Sequence, residues 1–380
     1  MDPTALPFDA DAMLQGLFAW VGCESPTYDA AAVNRMMDLA SRAVAVAGGR
    51  IERIPGRMGF GDCVRARFPH PQRDEPGILV MGHLDTVHPI GTLAALPVRR
   101  EGDRAWGPGI LDMKGGNYLA LEAISQLARA GIVTNLPVTL LFTSDEEVGS
   151  PSTRDLIEAE AARHRYVLIP EPARPDGSAS GGVVSGRYAI ARFDLESTGR
   201  PSHAGARLAE GRSAVREMAR QVLAIEEMTT ESCTFSVSVV RGGEWVNCVP
   251  TTCTAQALSM AKRQEDLDRG VARMLGLAAS SNEVSFRVSR GVTRPVWEAD
   301  ARGMALYERA RATAARMGMA LGHQSAGGGS DGNFTGAMGI ATLDGLGVLG
   351  AGAHTLDEHI VVESLATRGR LFAGLLAALD

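Results

Sequence analysis

Three short apolar runs, each closing on side chains that bind metal ions, most constrain what this chain folds into. GILVMGHLD at 77–85, PVTLLFTSDEE at 137–147 and RYVLIPEP at 165–172 have the length and near-continuous apolar character of buried parallel strands. Residues 30–47 and about 113–130 have helical periodicity, and strands alternating with helices of a dozen residues or more predict α/β units on a mostly parallel sheet. Ligands of such sheets bind beyond the carboxyl ends of the strands, where these histidines and carboxylates fall.

From about Gly186 the texture changes. Extended stretches at 187–198, 233–243, 249–261 and 283–291 alternate with helical ones at 206–228 and 264–280. That order, β-α-β-β-α-β, is the ferredoxin-like split unit. After Pro295 a helix (about 300–318), a glycine-rich loop (327–332), a short strand (340–344) and a last helix (about 362–379) return to the first pattern. The expected architecture is a discontinuous catalytic domain, residues 1–185 and 293–380, with a small α+β domain inserted at 186–292.

Composition narrows the function. The 380 residues carry 38 Lys+Arg against 44 Asp+Glu, net −6, with no basic run interleaved with aromatics, so nucleic acid is not an expected partner. Two of the basic residues are lysines, Lys114 and Lys262, which leaves Schiff-base chemistry almost without candidates. Five scattered cysteines without a Cys-x-x-Cys pattern suit a reducing compartment, the acidic start does not resemble a signal peptide, and no stretch approaches the roughly 18 apolar residues of a membrane span. The expected location is cytoplasmic.

Any chemistry therefore rests on carboxylates and histidines. Residues two apart on a strand point the same way, so Asp85 is placed to hold the second ring nitrogen of a metal-bound His83. Asp112 lies in the glycine-flanked turn WGPGILDMKGG, where a helix cap is the simpler reading in isolation. Asp145, Glu146 and Glu147 follow a buried strand, where three acids are costly without a cation. Glu171 ends the third strand, and His354 sits in a late glycine-rich loop with His359 nearby. Two histidines and three carboxylates make a ligand set for two borderline divalent ions sharing one carboxylate. GGGSDG at 327–332 lacks the Gly-Lys-Ser/Thr ending of a phosphate loop, no G-x-G-x-x-G follows the first strand, and Ser185 and Ser330 lack a nucleophile elbow.

GHLDTVHP, GPGILDMKGG, TSDEEVGS, PEPA, GRPSHAG and AGAHT, in this order and at these separations, resemble the co-catalytic dizinc M20 metallopeptidases. Within them the chain is most similar to the glutamate carboxypeptidase and acetylornithine deacetylase/succinyl-diaminopimelate desuccinylase group. The resemblance implies a zinc-peptidase-like α/β/α catalytic domain carrying an inserted dimerisation (lid) domain. It implies two Zn²⁺, with Co²⁺ or Mn²⁺ as substitutes: His83, Asp112 and Glu171 on one ion, Glu147, His354 and the shared Asp112 on the other. Asp85 then steadies His83, and Glu146 is the general base for the attacking water. His203 implies an oxyanion donor reaching across a homodimer formed through 186–292, with Asn247 beside it.

For the far end of the substrate, Arg290 and Arg294 fall where carboxypeptidase members keep a carboxylate-binding arginine, and the Gly328, Gly329 and Ser330 amides suit an anion nest. Met260 stands where glutamate-specific members carry arginine, which suggests a more apolar pocket. The expected reaction is hydrolysis of the amide of an N-acyl amino acid, or release of a C-terminal amino acid from a blocked amide. An aminopeptidase or dipeptidase, and a non-catalytic metabolite-binding relative, are the alternatives.

Overall fold

The structure is a computed structural model that describes residues 1–178, 180–280 and 284–380. The chain divides into two compact units, one of Met1–Gly186, Glu298–Ala326 and Ser330–Asp380, the other of Arg187–Trp297 and Gly327–Gly329.

In the first unit a six-stranded sheet runs in the order Arg50–Ile54, Cys63–Arg67, Val138–Thr143, Gly77–His83, His164–Leu168, Ala341–Leu343. The last four strands are parallel, with His83 opposite Thr143 and Val80 opposite Leu168, and the first two join them as an antiparallel hairpin. Every residue of Gly77–His83 and Val138–Thr143 is buried because both faces are covered. Ile78, Val80, Leu140 and Phe142 share one core with helices Ala10–Val21, Ala30–Val46, Gly115–Arg129, Ala301–Arg316 and Glu363–Ala378. Their neighbours Leu79, Met81 and Leu141 turn to the opposite face, against Ile157 and Ala161 of Arg154–Ala161 and Phe334 of Gly332–Ala337. Three layers, α/β/α, result.

Local chemistry sets the helix starts. Asp29 accepts the Ala32 N–H at 2.9 Å and Asp300 the Gly303 N–H at 2.7 Å, each capping the helix that follows. Gly116 opens Gly115–Arg129 where a Cβ would stand 1.7 Å from the Pro170 carbonyl oxygen, so a glycine lets the segment ending in Glu171 lie against the helix. Phe142 is fully buried, edge-on to Trp20 at 6.1 Å between ring centres. Phe142→Ala is expected to cost about 3–5 kcal/mol, read from the urea midpoint; a cost under about 1 kcal/mol would mean that the core closes over the gap.

In the second unit an antiparallel sheet runs Cys233–Gly242, Thr252–Ala261, Ala189–Thr198, Ser285–Arg294, Ala279–Ser280. Burial alternates along residues 191–198 because helices Ala214–Glu226 and Gln264–Gly276 cover one face. Connectivity and strand order together are those of the ferredoxin-like unit. Arg187 and Trp297 exchange backbone hydrogen bonds at 2.8 and 3.0 Å, pairing the two ends of this segment. The helix expected from 206 begins at Ala214, because a single 3₁₀ turn, Leu208–Glu210, precedes it and the Ser213 hydroxyl caps the Arg216 N–H at 3.1 Å. The expected strand at 283–291 has its first residue outside the described ones and extends to Arg294. Among the described residues no helix is long and apolar enough to cross a membrane.

Candidate metal centre

The three parallel strands deliver their last residues to one end of the first sheet. His83 is the final residue of its strand, Glu146 and Glu147 form the short turn after Val138–Thr143, and Glu171 follows His164–Leu168. Asp112 reaches them from the turn before Gly115–Arg129. His354, at φ 65°, holds a left-handed conformation that non-glycine residues seldom adopt, and such outliers gather at functional sites.

Each Asp112 oxygen faces a different imidazole: Oδ1 lies 3.3 Å from His83 Nε2 and Oδ2 3.2 Å from His354 Nε2. His354 Nε2 is also 3.2 Å from Glu147 Oε2, and His83 Nε2 is 3.7 Å from Glu171 Oε1 and 3.9 Å from Glu146 Oε2. His83, Asp112 and Glu147 each offer an atom within 4.8 Å of the others. The expected ligands therefore converge in the first unit.

Charge is concentrated in this small, largely dry volume. Burial pushes the Glu147 carboxyl up to about 8 against the pull of His354, and Asp112 adds to the rise. Burial, with Asp112 opposite, also lifts Glu171 well above the usual carboxylate range. Burial would raise Asp112 too, but hydrogen bonds from His354 and His83 hold it far below that range. Asp112 and then Glu147 draw His354 up to about 11. Burial works against charge on His83, yet the Asp112 and Asp85 carboxylates keep it well above its ordinary value.

The donor set fits divalent cations. Imidazole nitrogens and carboxylate oxygens suit borderline metals, and Glu147 Oε1 is buried with no hydrogen-bond partner among the described residues. A cation there would satisfy that atom and the crowded charges together.

The neighbours of the cluster differ in part from expectation. His83 Nδ1 faces the backbone carbonyl of Asp85 at 3.0 Å, nearer than the Asp85 carboxylate at 3.5 Å. That carboxylate also accepts from the Glu146 and Glu147 N–H groups, both at 3.3 Å, and from the Thr27 hydroxyl at 2.8 Å. It thus holds the turn that presents both glutamates. Asp145 accepts from the Ser152 N–H at 2.7 Å and from the Thr153 hydroxyl, so this acid stabilises the following turn. His359 is buried against Trp106, with Nδ1 2.7 Å from the Asp357 carbonyl, and takes no place in the cluster.

Sequence reasoning passed over Thr27, Asn117, His88 and Glu358. Asn117 donates to the His83 carbonyl at 2.6 Å, and Glu358 binds the turn carrying Asp112. Glu358 follows an exposed, mostly polar stretch, residues 354–357, and the more conspicuous His354 and His359 flank it, so nothing in the sequence singles it out.

The residues expected at the oxyanion and at the substrate's far end lie in different places. Ser330, in the first unit, is fully buried; its hydroxyl donates to Asp344 Oδ2 at 2.7 Å and its N–H to Asn333 Oδ1 at 3.0 Å, so it offers neither to an anion. In the second unit, exposed His203 accepts the Gly205 and Ala206 N–H groups on Nδ1 at 3.2 and 3.1 Å, which places the neutral ring's proton on Nε2 as a donor. Asn247 lies beside it, its backbone carbonyl accepting the Ala204 N–H at 2.9 Å. Arg290 is exposed and bonds Thr293 at 3.0 Å. Arg294 is buried, and a Cβ on Gly329 would stand 2.5 Å from its Cδ. Gly328, at φ 81°, is the turn's left-handed residue, and a Cβ there would meet nothing within 4 Å.

Residues 79–378 match the family described as Peptidase family M20/M25/M40. Carboxypeptidase G2 of Pseudomonas sp. (strain RS-16) is 34% identical over 360 residues, which cover 90% of this chain and 85% of that protein. Succinyl-diaminopimelate desuccinylase of Gluconacetobacter diazotrophicus is 26% identical over 340 residues, 82% of this chain and 83% of that one. In fold, the crystal structure of aminopeptidase PepT from Bacillus cereus matches 97% of this chain and 98% of its own, with a TM-score of 0.73 at 21% identity.

Proposed function

Because the chain belongs to peptidase family M20/M25/M40, and is thereby a hydrolase of amide or peptide bonds in small substrates, we propose that it is a dizinc deacylase or carboxypeptidase. Its substrate in this reading is an N-acyl amino acid, or a blocked amide that loses its C-terminal residue. The observation that carries the two-ion reading is Asp112, whose two oxygens each face one histidine, at 3.3 and 3.2 Å. His83, Asp112 and Glu171 would hold one ion, and Asp112, Glu147 and His354 the other. When bound, such a pair supplies Lewis-acid polarisation of the amide carbonyl and makes water acidic enough to ionise near neutral pH.

The chain's own groups carry the proton. Glu146 is buried beside the cluster, and its carboxylate takes a proton from the attacking water and returns it to the leaving nitrogen. Asp85 fixes that carboxylate by binding the Glu146 and Glu147 backbone, with Thr27 bracing Asp85. His203 Nε2–H, supported by Asn247, donates to the developing oxyanion from the partner subunit of a homodimer formed through the second unit. A donor so placed supplies about 3–4 kcal/mol. Arg290 and Arg294, with the Gly328 and Gly329 amides, are the proposed carboxylate grip. The five unpaired cysteines favour a cytoplasmic location.

Protein loaded with zinc, offered N-acyl amino acids, aroyl-glutamates and free dipeptides, is expected to release amino acid from the blocked substrates only, and chelation is expected to abolish release. Cleavage of free dipeptides alone would move the reading to an aminopeptidase or dipeptidase; zinc content without turnover on any of them would favour a binding protein. A fully active species sedimenting as a monomer would overturn the role given to His203.

A further inference from the structure

Glu358 is fully buried, and the hydrogen bonds of its carboxylate converge on the turn that carries Asp112 and on the loop after the His83 strand. Oε1 accepts the Leu111 N–H at 2.8 Å and the Asp112 N–H at 3.0 Å. Oε2 accepts the Gly109 N–H at 2.9 Å and faces His88 Nε2 at 2.7 Å. Convergent backbone N–H groups of this kind form an anion nest, and here the anion is one of the protein's own carboxylates. Gly109 contributes because it sits at φ 71°, where a Cβ would also stand 2.6 Å from Thr86 Cγ2.

We infer that Glu358, backed by His88, is the positioning residue for Asp112. It holds the turn from behind, so that the two Asp112 oxygens face His83 and His354. The inference rests on the reading of Asp112 as a metal ligand and adds to it the group that aims the ligand. An ordinary buried ion pair would join two side chains, whereas three of these four bonds end on backbone, one of them on Asp112 itself. At φ −115° and ψ 97° Asp112 is extended, three residues before Gly115–Arg129 begins, so the helix's own hydrogen bonds do not set its backbone. The turn is tied at a second point by the Lys114 ammonium, which donates to the Cys23 carbonyl at 2.8 Å. Glu358 also lies four residues after His354, so one carboxylate steadies both loops whose side chains meet at 3.2 Å.

Partners that orient a metal ligand typically govern affinity by about 10- to 100-fold. Glu358→Gln keeps the shape but turns an NH₂ toward N–H donors, so at least one of the bonds is lost. In the full chain, this variant is expected to bind Zn²⁺ about 10- to 100-fold more weakly in chelator competition, and its Co²⁺ form to show a shifted visible spectrum. His88→Gln, which retains a donor for Glu358, is expected to match the parent in both readouts; His88→Leu is expected to weaken binding toward the low end of that range. Parent-like affinity and spectrum in Glu358→Gln would overturn the inference, and if that variant does not fold, parent-like behaviour of His88→Leu would do so. Asp112→Asn separates the two levels. If it binds metal as the parent does, the ligand reading falls; if it loses metal while Glu358→Gln does not, only the positioning role falls.

Discussion

Glu146→Ala lowers the turnover number by about 10²- to 10⁴-fold and leaves the bound metal in place: this is the expected result for a residue that moves protons without ligating. Among the imidazole contacts in the cluster, the Glu146 approach to His83 is the longest, 3.9 Å against 3.3 Å for Asp112 and 3.7 Å for Glu171. Its neighbour Glu147 turns to His354 at 3.2 Å. Adjacent side chains diverge, so in the proposed mechanism one turn held by Asp85 would present Glu147 to the metals and Glu146 to the attacking water. Loss of the proton carrier acts on the transition state, so kcat should fall with little change in KM. Metal analysis alongside steady-state rates decides the matter. Full turnover with the parent's metal content would remove Glu146 from the mechanism.

The second large effect is on metal itself. Asp112→Asn keeps the size of the side chain but removes the negative charge between two imidazoles and leaves one oxygen where two faced His83 and His354. Affinity is expected to fall beyond the roughly 10- to 100-fold that follows loss of an outer partner, and turnover with it. Equilibrium dialysis against buffered Zn²⁺ should show at least one ion lost. Two ions retained at the parent's affinity would sink the shared-ligand reading.

Much of this arrangement is legible in the linear chain, for a physical reason. A strand buried on both faces must be apolar throughout, so GILVMGH and VTLLFT announce themselves, and the histidines and acids where they stop stand out against that background. Edge strands give no such contrast. RIERI at Arg50–Ile54 is half exposed and reads as polar chain, although it pairs residue for residue with Cys63–Arg67. The helix expected from 206 illustrates the limit of periodicity: its apolar spacing runs on through Leu208, but Gly211 and the cap at Ser213 delay the start. Ser330 looked available because glycines surround it, while the acid that takes its hydroxyl, Asp344, is fourteen residues further on. Glu358 was invisible for the opposite reason. Its partners are backbone N–H groups 246 to 249 residues away, and backbone carries no sequence signature.

That separation has a consequence for how the protein is made. His83, Asp112, Glu147 and Glu171 all leave the ribosome early, whereas His354 and the carboxylate that aims Asp112 emerge only after the whole second unit has been synthesised. If Asp112 is a metal ligand aimed by Glu358, a nascent chain holding only the early residues is expected to bind an ion weakly. Contacts spanning some 250 residues form late because the loop they close is long. On the proposed reading of the cluster, full metal affinity is therefore expected only once the segment carrying His354 and Glu358 has packed behind the Asp112 turn.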